Sequence, residues 1–382
     1  MKIRIYTMTH RPFHVPSDPM YQPLQVGRAT HEDLGYPGDD TGDNISALNC
    51  FYSELTGVYW IWKNVTDVDY VGVCHYRRYL LNDRGLIFTK AELEHLLEEY
   101  DMLTSKKLTL NFSYAYGFGE NHSPRDLAVA DEVIRDLYPD FYPLYHKRVQ
   151  ENHTYFGNIM ICSKQCFDAY CQFLFPVFEQ MHQRLDLSSY DDYHKRLYGF
   201  LSEFLLMVWC EYQKLRIKEC KVGLIGEKKE TKETIRLLAD YFSRKDIAGA
   251  KEYFLSVQQQ RPDILMEASD IHGHLHLCLQ AISTAEYEQD AYGKILLPVN
   301  LPFDELMELL SALNATICRL RVPHQEVERN RSTAALLANP LLSDYAIAIS
   351  LLLYCPVPED RALIRDTIRQ LYHRQIPDLQ HS

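Results

Sequence analysis

One stretch, residues 44–80, constrains the fold of this chain more than any other. Between residues 46 and 64 apolar side chains recur at the spacing of one helical face, which predicts a helix. Residues 70–74 then form a continuous apolar run, as in a central parallel strand with both faces covered. The run ends in His75-Tyr76-Arg77-Arg78, so a buried strand brings polar and cationic residues to one edge of a sheet.

That edge is predicted to bind an anion. The planar guanidinium of arginine matches phosphate oxygens, and ligands of open α/β sheets gather at the carboxyl ends of the strands. His10 falls at an equivalent place, because residues 2–8 alternate as a first strand that Pro12 ends. The alternatives are surface arginines in ion pairs and a plain surface loop at His10.

Composition and charge exclude some partners. The 382 residues carry a net charge of −12, which argues against nucleic acid but leaves room for a local basic pocket. The ten cysteines include no Cys-x-x-Cys pair, which predicts free thiols in a reducing cytoplasm. No apolar leader or membrane span is evident, so we expect a cytoplasmic protein whose contact with the inner face of the membrane, if any, is peripheral.

Strand and helix patterns alternate up to residue 226 and predict an α/β domain over residues 1–228. Further helices are predicted at 90–100, 124–138, 164–180 and 192–212, and further strands at 101–104, 153–163 and 217–226. The aromatic, glycine-rich residues 111–122 are typical of a mobile loop that lines a sugar site, or of a tyrosine-rich turn.

Three carboxylates stand out on these predicted helices. Glu54 falls on a mostly apolar face, where a carboxylate is costly unless it is paired with Arg77, Arg78 or a ligand hydroxyl. Glu203 lies off the buried stripe of the 192–212 helix and points either into a cleft or to solvent. Asp126 lies in the first turn of the 124–138 helix.

Residues 229–382 are predicted to form an all-helical accessory domain, after a boundary at 228 within a charged run. Its amphipathic segments are predicted at 233–242, 247–259, 263–282, 302–320, 334–354 and 361–373. His272, His274, His276 and Cys278 would line one face of a strand as metal ligands, but in a helix only His272 and His276 share a face. We predict no metal site there.

A set of motifs in residues 2–225 is specific enough to carry a family resemblance. They are TH at 9–10, LQVG at 24–27, DDTGDNIS at 39–46, ELTGVYWIWKN at 54–64, DYVG at 69–72, HYRRY at 75–79, RDL at 125–127, NIMI at 158–161 and RLYGFLSE at 196–203. With these motifs the chain resembles a family of bacterial glycosyltransferases encoded in capsular polysaccharide and O-antigen clusters, once catalogued only as a domain of unknown function.

The resemblance implies a GT-A-like, Rossmann-type α/β domain that binds a nucleotide-sugar at the carboxyl ends of its strands. It implies a hexosyltransferase that uses a UDP-hexose donor. UDP-galactofuranose is one candidate, because some members are similar to galactofuranosyltransferases. The implied acceptor is a glycan or lipid-linked oligosaccharide of a surface polysaccharide, such as lipopolysaccharide. No tightly bound cofactor is expected.

The resemblance also assigns residues to roles. Donor binding is expected from His10, Asn44, His75, Tyr76, Arg77, Arg78 and Asn158, and a role in acceptor binding or structure from Glu54, Trp60 and Arg196. Glu203 is the first candidate for the catalytic base, with Asp126 and then Glu54 in reserve.

GT-A enzymes usually hold the donor diphosphate through a metal bound by Asp-x-Asp at a strand end. Here Asp67-Val68-Asp69 precedes the strand instead of following it. We therefore expect residues 75–78 to neutralise the leaving UDP without a metal.

Two positions depart from the family pattern: Phe204 stands where an arginine is usual after Ser-Glu, and Gly157-Asn158-Ile159 replaces the commoner Tyr-Asn-Met. One alternative function is a non-catalytic sugar-nucleotide-binding scaffold in a polysaccharide assembly complex. Another is a nucleotidyltransferase, but the chain has no glycine-rich phosphate loop.

Overall fold

The computed structural model describes residues 1–226, 228–265, 269–299, 301–320, 331–355 and 357–379. The chain divides into two compact units, residues 1–225 and residues 226–382. The boundary predicted at 228 lies next to this division, and residue 227 of the charged run is outside the described residues. The roles assigned to the two segments stay predictions.

The first unit is built on nine strands in two sheets. They are β1 Ile3–Thr9, β2 Tyr21–Gln25, β3 Tyr70–His75, β4 Arg78–Leu81, β5 Met102–Ser105, β6 Leu108–Thr109, β7 His153–Thr154, β8 Met160–Ser163 and β9 Ile217–Leu224. Seven of them form the main sheet, and β6 pairs with β7 in a separate two-stranded sheet.

Helices pack around the main sheet. They are α1 Asn49–Tyr52, α2 Leu55–Asn64, α3 Lys90–Glu99, α4 Tyr114–Asn121, α5 Pro124–Leu137, α6 Tyr142–Val149, α7 Lys164–Arg184 and α8 Leu197–Tyr212. Val71 and Val73 of β3 face one hydrophobic core and Cys74 faces another, so both faces of this strand are covered, as its continuous apolar run predicts.

The sheet around β3 is mixed, and the prediction of a central parallel strand is only partly right. β3 is parallel to β1 on one side and antiparallel to β8 on the other. The strand predicted over residues 69–79 is in fact two strands, because Tyr76 and Arg77 form a two-residue turn and His75 pairs with Arg78. From there β4 runs antiparallel to β9.

The single helix predicted over residues 46–64 is wrong. A short 3-10 turn, Ser46–Leu48, leads into α1. Ser53 then interrupts the helical conformation before α2 begins. Ser53 has φ 50° and ψ −130°, a conformation that residues with a side chain rarely adopt. The apolar periodicity continues across the break, which is why sequence alone does not reveal it. The break places Glu54 at the start of a helix.

Three other elements differ from prediction. The strand predicted at 153–163 is β7 and β8, separated by an irregular segment with positive φ angles at Gly157 and Asn158. The stretch 111–122 contains the helix α4, which Ser113 caps. The helix predicted at 192–212 begins as α8 at residue 197, after a 3-10 turn at His194–Arg196.

The described residues of the second unit contain helices and no strand. Its helices are α9 Lys229–Ser243, α10 Ile247–Gln260, α11 His274–Tyr292, α12 Phe303–Leu320, α13 Arg331–Leu337, α14 Asp344–Tyr354 and α15 Pro358–Tyr372. The helix predicted at 263–282 crosses residues 266–268, which lie outside the described residues, and α11 begins only at His274. The segment predicted at 334–354 is two helices, α13 and α14. No helix within the described ranges combines the length and apolarity needed to cross a bilayer.

Candidate active site

The carboxyl ends of β1 and β3 lie side by side and carry three of the predicted site residues. Met8 pairs with His75, and the backbone N–H of Tyr76 donates to the carbonyl of Met8 at 3.0 Å. The ring of His10 meets the ring of Tyr76 edge-on, with 5.4 Å between centroids and an interplanar angle of 87°. The parallel pairing of β1 and β3 therefore brings His10, His75 and Tyr76 to one edge.

The segment between β7 and β8 crosses this edge and binds it through Gly157. His75 donates from Nε2 to the carbonyl oxygen of Gly157 at 2.7 Å. The N–H of Gly157 donates to Oε1 of Glu203 at 2.6 Å. Gly157 therefore links His75, at the end of β3, to the carboxylate of Glu203 on α8.

Asn158 links the broken helix to α8. Its side-chain Nδ2 donates to Oε1 of Glu54 at 2.7 Å and to the carbonyl of Gly199 at 2.9 Å. Its Oδ1 accepts a hydrogen bond from the Ser202 hydroxyl at 2.8 Å. Asn158 is buried, and with these three bonds its amide fixes the position of Glu54 relative to α8.

Three residues in or next to this network have positive φ angles. Gly157 has φ 92°, Asn158 has φ 49° and Ser53, which precedes Glu54, has φ 50°. Conformations of this kind cost about 1–3 kcal/mol each for residues with a side chain, and they cluster at functional sites. Ser53 is the residue of the three that tolerates its conformation least, and the hydrogen bonds of Gly157 and Asn158 hold Glu54 and the crossing segment in place.

Arg78 supplies a cation without a hydrogen-bonded partner among the described residues. Its half-buried guanidinium lies 4.7 Å from the ring centroid of Phe156, and no hydrogen bond or ion pair engages it there. Burial lowers the pKa of Arg78, while the carboxylates of Glu203 and Glu54 oppose that shift. A guanidinium in this state has donors available for an anionic ligand.

A second arginine flanks the site from the start of α8. Arg196 is exposed, and its Nε donates to the hydroxyl of Ser53 at 3.2 Å. Its charge also acts on Glu54, His75 and Glu203. The site is therefore cationic on two sides.

The two glutamates have their pKa values pushed in opposite directions. Burial raises the pKa of Glu203 to about 8, and the nearby charge of Glu54 adds to the rise. Burial also acts to raise the pKa of Glu54, but His75, the Asn158 hydrogen bond and Arg196 outweigh it and lower the value. Near neutral pH Glu54 is therefore ionised, while Glu203 titrates close to the neutral range.

His75 is neutral in the same pH range. Burial lowers the pKa of its imidazole, and the charges of Arg78 and Arg196 act in the same direction, against Glu54 and the Gly157 hydrogen bond. His75 is therefore a neutral hydrogen-bond donor in the free protein, not the cation that the HYRR sequence suggests.

Arg77 lies against β9. Its Nε donates to the carbonyl of Ile225 at 3.3 Å, and the carbonyl of Arg77 accepts from the N–H of Ile225. Arg77 lies in the turn and Arg78 begins β4, so the contacts of the two arginines differ. Sequence alone did not separate the two arginines.

Two other predicted residues stabilise the long loop before α1. Asn44 bonds within its own turn, to the carbonyl of Gly42 and the N–H of Ser46. Trp60 donates from Nε1 to the carbonyl and the hydroxyl of Thr41, each at 3.0 Å. These contacts support a structural role for both residues.

Asp126 belongs to a different set of contacts. Its Oδ1 accepts a 2.7 Å hydrogen bond from the Tyr190 hydroxyl, and its fully buried Oδ2 has no hydrogen-bond partner among the described residues. Burial raises the pKa of this carboxyl. The structure therefore places Glu203 and Glu54, but not Asp126, in the hydrogen-bonded network of Asn158 and Gly157.

The Asp-x-Asp sequence is engaged elsewhere. Asp67 pairs with Lys2 at 2.6 Å and with Arg4 at 3.1 Å, and Asp69 accepts the backbone N–H of Lys2. Both aspartates lie before β3, at the edge opposite His75, so they do not fit a metal that holds a ligand at the carboxyl edge. Among the described residues, no group of three or more His, Cys, Asp or Glu side chains is arranged to hold a metal ion.

The sequence interpretation missed several members of the site. Ser53, Gly199 and Ser202 enter it through backbone or hydroxyl groups, which leave little trace in a sequence. Phe156 enters it through the ring under Arg78. The dipeptide Gly157-Asn158 was the sequence signal for the irregular segment between β7 and β8, because both residues tolerate positive φ.

Comparison with known proteins finds a matching family model and a similar solved structure. A family model described as "Domain of unknown function (DUF4422)" matches residues 4–214. No match is found among curated proteins. A solved apo structure of the WbbM bifunctional glycosyltransferase is similar, with 28% identity, a TM-score of 0.55 and coverage of 59% of this chain. The chain spans 46% of the length of that protein.

Proposed function

The chain belongs to the family described as a domain of unknown function (DUF4422), and we propose that its first unit is a glycosyltransferase that uses a nucleotide-sugar. The observation that carries the proposal is the hydrogen-bonded network in which Gly157 binds Glu203 and Asn158 binds Glu54, with the cations Arg78 and Arg196 near both carboxylates. Transfer of a sugar from a diphosphate donor needs a base for the acceptor and cations for the leaving group. The similarity to WbbM supports glycosyl transfer in general terms.

In the proposed reaction Glu203, once ionised, removes the proton from an acceptor hydroxyl. The acceptor oxygen forms a bond to the anomeric carbon, and the bond between that carbon and the diphosphate oxygen breaks. The departing nucleoside diphosphate keeps the electron pair, and Arg78 and Arg196 stabilise its charge. His75 keeps its hydrogen bond to Gly157, the residue that also binds Glu203.

Glu54 has a different role in this proposal. It stays ionised, bound to Asn158, and its charge keeps the pKa of Glu203 near neutral pH. A base whose pKa lies close to the working pH combines sufficient ionisation with sufficient proton affinity.

We further propose UDP-hexose as the donor class, with UDP-galactofuranose as one candidate, and a glycan or lipid-linked oligosaccharide of a surface polysaccharide as the acceptor. The motifs in residues 2–225 support these finer assignments through the family resemblance. The cationic set at the carboxyl edge, and the engagement of Asp67 and Asp69 at the opposite edge, favour a metal-independent reaction.

A two-part experiment tests the proposal. A thermal-shift panel of UDP-, GDP-, CMP- and dTDP-sugars should show stabilisation by one nucleotide class, because a ligand that binds only the folded state raises the melting temperature. Release of free UDP from a stabilising UDP-sugar, in the presence of acceptor glycans, would establish transfer. Stabilisation without any release would favour the non-catalytic scaffold instead, and absence of both would contradict the proposal.

A further inference from the structure

Ser53 has a backbone conformation that favours glycine. Its φ is 50° and its ψ is −130°, and residues with a Cβ atom rarely adopt such angles. Glycine has no Cβ atom and adopts positive φ readily. A serine therefore keeps strained a turn that a glycine would relax, and the side chain is what serine adds at this position.

The backbone bonds of the turn do not use that side chain. The N–H of Ser53 donates to the carbonyl of Asn49 at 2.7 Å. The carbonyl of Ser53 accepts from Nδ2 of Asn49 at 2.7 Å and from the hydroxyl of Thr56 at 3.1 Å. Glycine would keep all three bonds, so the conformation of the turn does not account for a serine.

The hydroxyl of Ser53 binds Arg196. It accepts a hydrogen bond from Nε of that arginine at 3.2 Å, and the guanidinium carbon lies 5.8 Å from the centroid of the Phe200 ring. Within the described ranges, neither terminal nitrogen of Arg196 has a hydrogen-bond or ion-pair partner. The bond at Nε therefore anchors the side chain and leaves its two terminal NH₂ groups to bind an anion.

This contact lies beside the carboxylate of Glu54. A Cβ atom built on Gly199 would lie 3.8 Å from Cβ of Ser53, 3.9 Å from its Oγ and 3.9 Å from Oε1 of Glu54. The hydroxyl and the carboxylate therefore lie next to the same point at the start of α8. The positive charge of Arg196 accordingly acts to lower the pKa of Glu54 and of Glu203.

We infer that Ser53 is a positioning residue, whose hydroxyl holds the guanidinium of Arg196 ready for the diphosphate of the donor. An exposed arginine loses side-chain freedom when it binds a ligand, and a bond that orders it beforehand reduces that cost. This role rests on the proposed function, in which Arg196 stabilises the leaving nucleoside diphosphate. It explains why a serine stands where glycine would relieve the strain.

Two measurements without ligand test the contact itself. Ser53→Gly should unfold at the wild-type urea concentration or a higher one, because the strained angles suit glycine. Hydrogen exchange of the Arg196 Nε–H, measured by ¹⁵N NMR and assigned through Arg196→Met, should accelerate at least fivefold in Ser53→Gly and in Ser53→Ala. Ser188→Ala, which removes a hydroxyl bound to Asp186, is the control and should leave that exchange unchanged. Loss of stability in Ser53→Gly, or unchanged exchange in both Ser53 variants, would overturn the inference.

A double-mutant cycle with UDP as the probe tests the role in binding. The dissociation constant of UDP, measured by calorimetry, should rise three- to tenfold in Ser53→Gly and in Ser53→Ala. In the Arg196→Met background the same substitutions should change it less than twofold, because the effect of Ser53 passes through Arg196. Equal effects in both backgrounds, or no effect in either, would show that Ser53 does not position Arg196 for the diphosphate.

The outcomes separate this inference from the proposed function. If UDP binds and UDP-sugars are turned over, but the Ser53 variants keep the wild-type affinity, the positioning role is wrong and the transferase proposal stands. If neither UDP nor any nucleotide-sugar binds the wild-type protein and no UDP is released, the transferase proposal fails and the positioning role fails with it.

Discussion

Gly157 donates its backbone N–H to Glu203 at 2.6 Å, while its carbonyl accepts from His75 at 2.7 Å. A backbone donor stabilises the ionised form of a carboxyl, so this bond acts against the rise in the pKa of Glu203 that burial causes. The result is a carboxyl that titrates at about 8, close enough to neutral pH to serve as a base.

Glu203→Gln should remove turnover while donor binding remains. The amide keeps the shape of the side chain and an oxygen for Gly157, but it cannot accept a proton. We expect UDP release to fall by about 100-fold or more, within the range of general-base contributions. The thermal shift caused by the donor should stay within about 1 °C of the wild-type shift.

Two controls sharpen the Glu203 prediction. Glu98→Gln changes an exposed carboxylate on α3 and should leave turnover at the wild-type value. Asp126→Asn should retain most of the activity, because the contacts of Asp126 are with Tyr190 and not with Gly157. Loss of turnover in Asp126→Asn together with retention in Glu203→Gln would transfer the role of base to Asp126.

Glu54→Gln should move the pH profile of kcat/KM. Glu203 must be ionised to act, so activity rises as the pH rises through about 8. The charge of Glu54 helps to raise that pKa, so its removal lowers the pKa and shifts the rising limb to lower pH. The substituted side chain would keep an oxygen for the amide of Asn158. A limb that stays in place, or moves to higher pH, would contradict the coupling of the two glutamates.

The positions of β1 and β3 could be predicted from the sequence because their signals are local. The alternation in β1 and the apolar run of β3 identified both strands, and their parallel pairing brought His10 and His75 to one edge. The antiparallel partner β8 could not be predicted in this way, since no local pattern says which strand roughly 90 residues away will pair with β3.

The hydrogen-bonded network of the candidate site depended on features that local patterns do not encode. The turn at Ser53 interrupts an apolar periodicity that continues through it, so the sequence predicted one helix. The carboxylate of Glu54 is tied to α8 only through Asn158, 104 positions further along the chain. Arg77 and Arg78 have the same side chain, so their sequence positions do not distinguish them. Only the position of the hairpin turn decides that Arg77 binds Ile225 and that Arg78 packs on Phe156.

Arg78→Met should weaken binding of the donor. A methionine keeps contact with Phe156 but removes the half-buried cation that we assign to the diphosphate. Hydrogen bonds to charged groups are worth about 1.5–3 kcal/mol, so the dissociation constant of the UDP-sugar should rise roughly 10- to 100-fold. Isothermal titration calorimetry measures it.

Arg77→Met is the matched control for Arg78. Its guanidinium donates to Ile225 and should affect the donor less, by a few-fold at most. Equal losses of affinity in the two variants would show that the hairpin as a whole, and not Arg78, holds the ligand.

Chelation should leave the reaction intact. Asp67 and Asp69 are occupied by Lys2 and Arg4 before β3, and the carboxyl edge is lined by arginines instead. UDP release in EDTA should therefore match the untreated rate, and added Mn²⁺ should change it less than twofold. Activity that EDTA abolishes and Mn²⁺ restores would refute the metal-independent version of the proposal.

The stability of the first unit should depend on pH through His122. This imidazole is buried next to Tyr193, Phe200 and His194, and neither ring nitrogen has a hydrogen-bond partner among the described residues. Burial lowers its pKa from 6.5 to about 3, with further contributions from His194 and Arg196. Between these two values the unfolded chain binds a proton that the folded protein does not, so stability falls as the pH drops below 6.5.

The replacement His122→Phe keeps the ring packing and removes the titrating group. One proton over the interval from about pH 6.5 to 5 corresponds to roughly 2 kcal/mol. Between pH 7.5 and pH 5.0 the free energy of unfolding of the variant should therefore fall by less than that of the wild type, by up to about that much. Urea unfolding at the two pH values measures this difference. His95→Gln, at an exposed position on α3, should show the wild-type difference between the two pH values. If His122→Phe loses as much stability at pH 5.0 as the wild type does, His122 is not the group responsible.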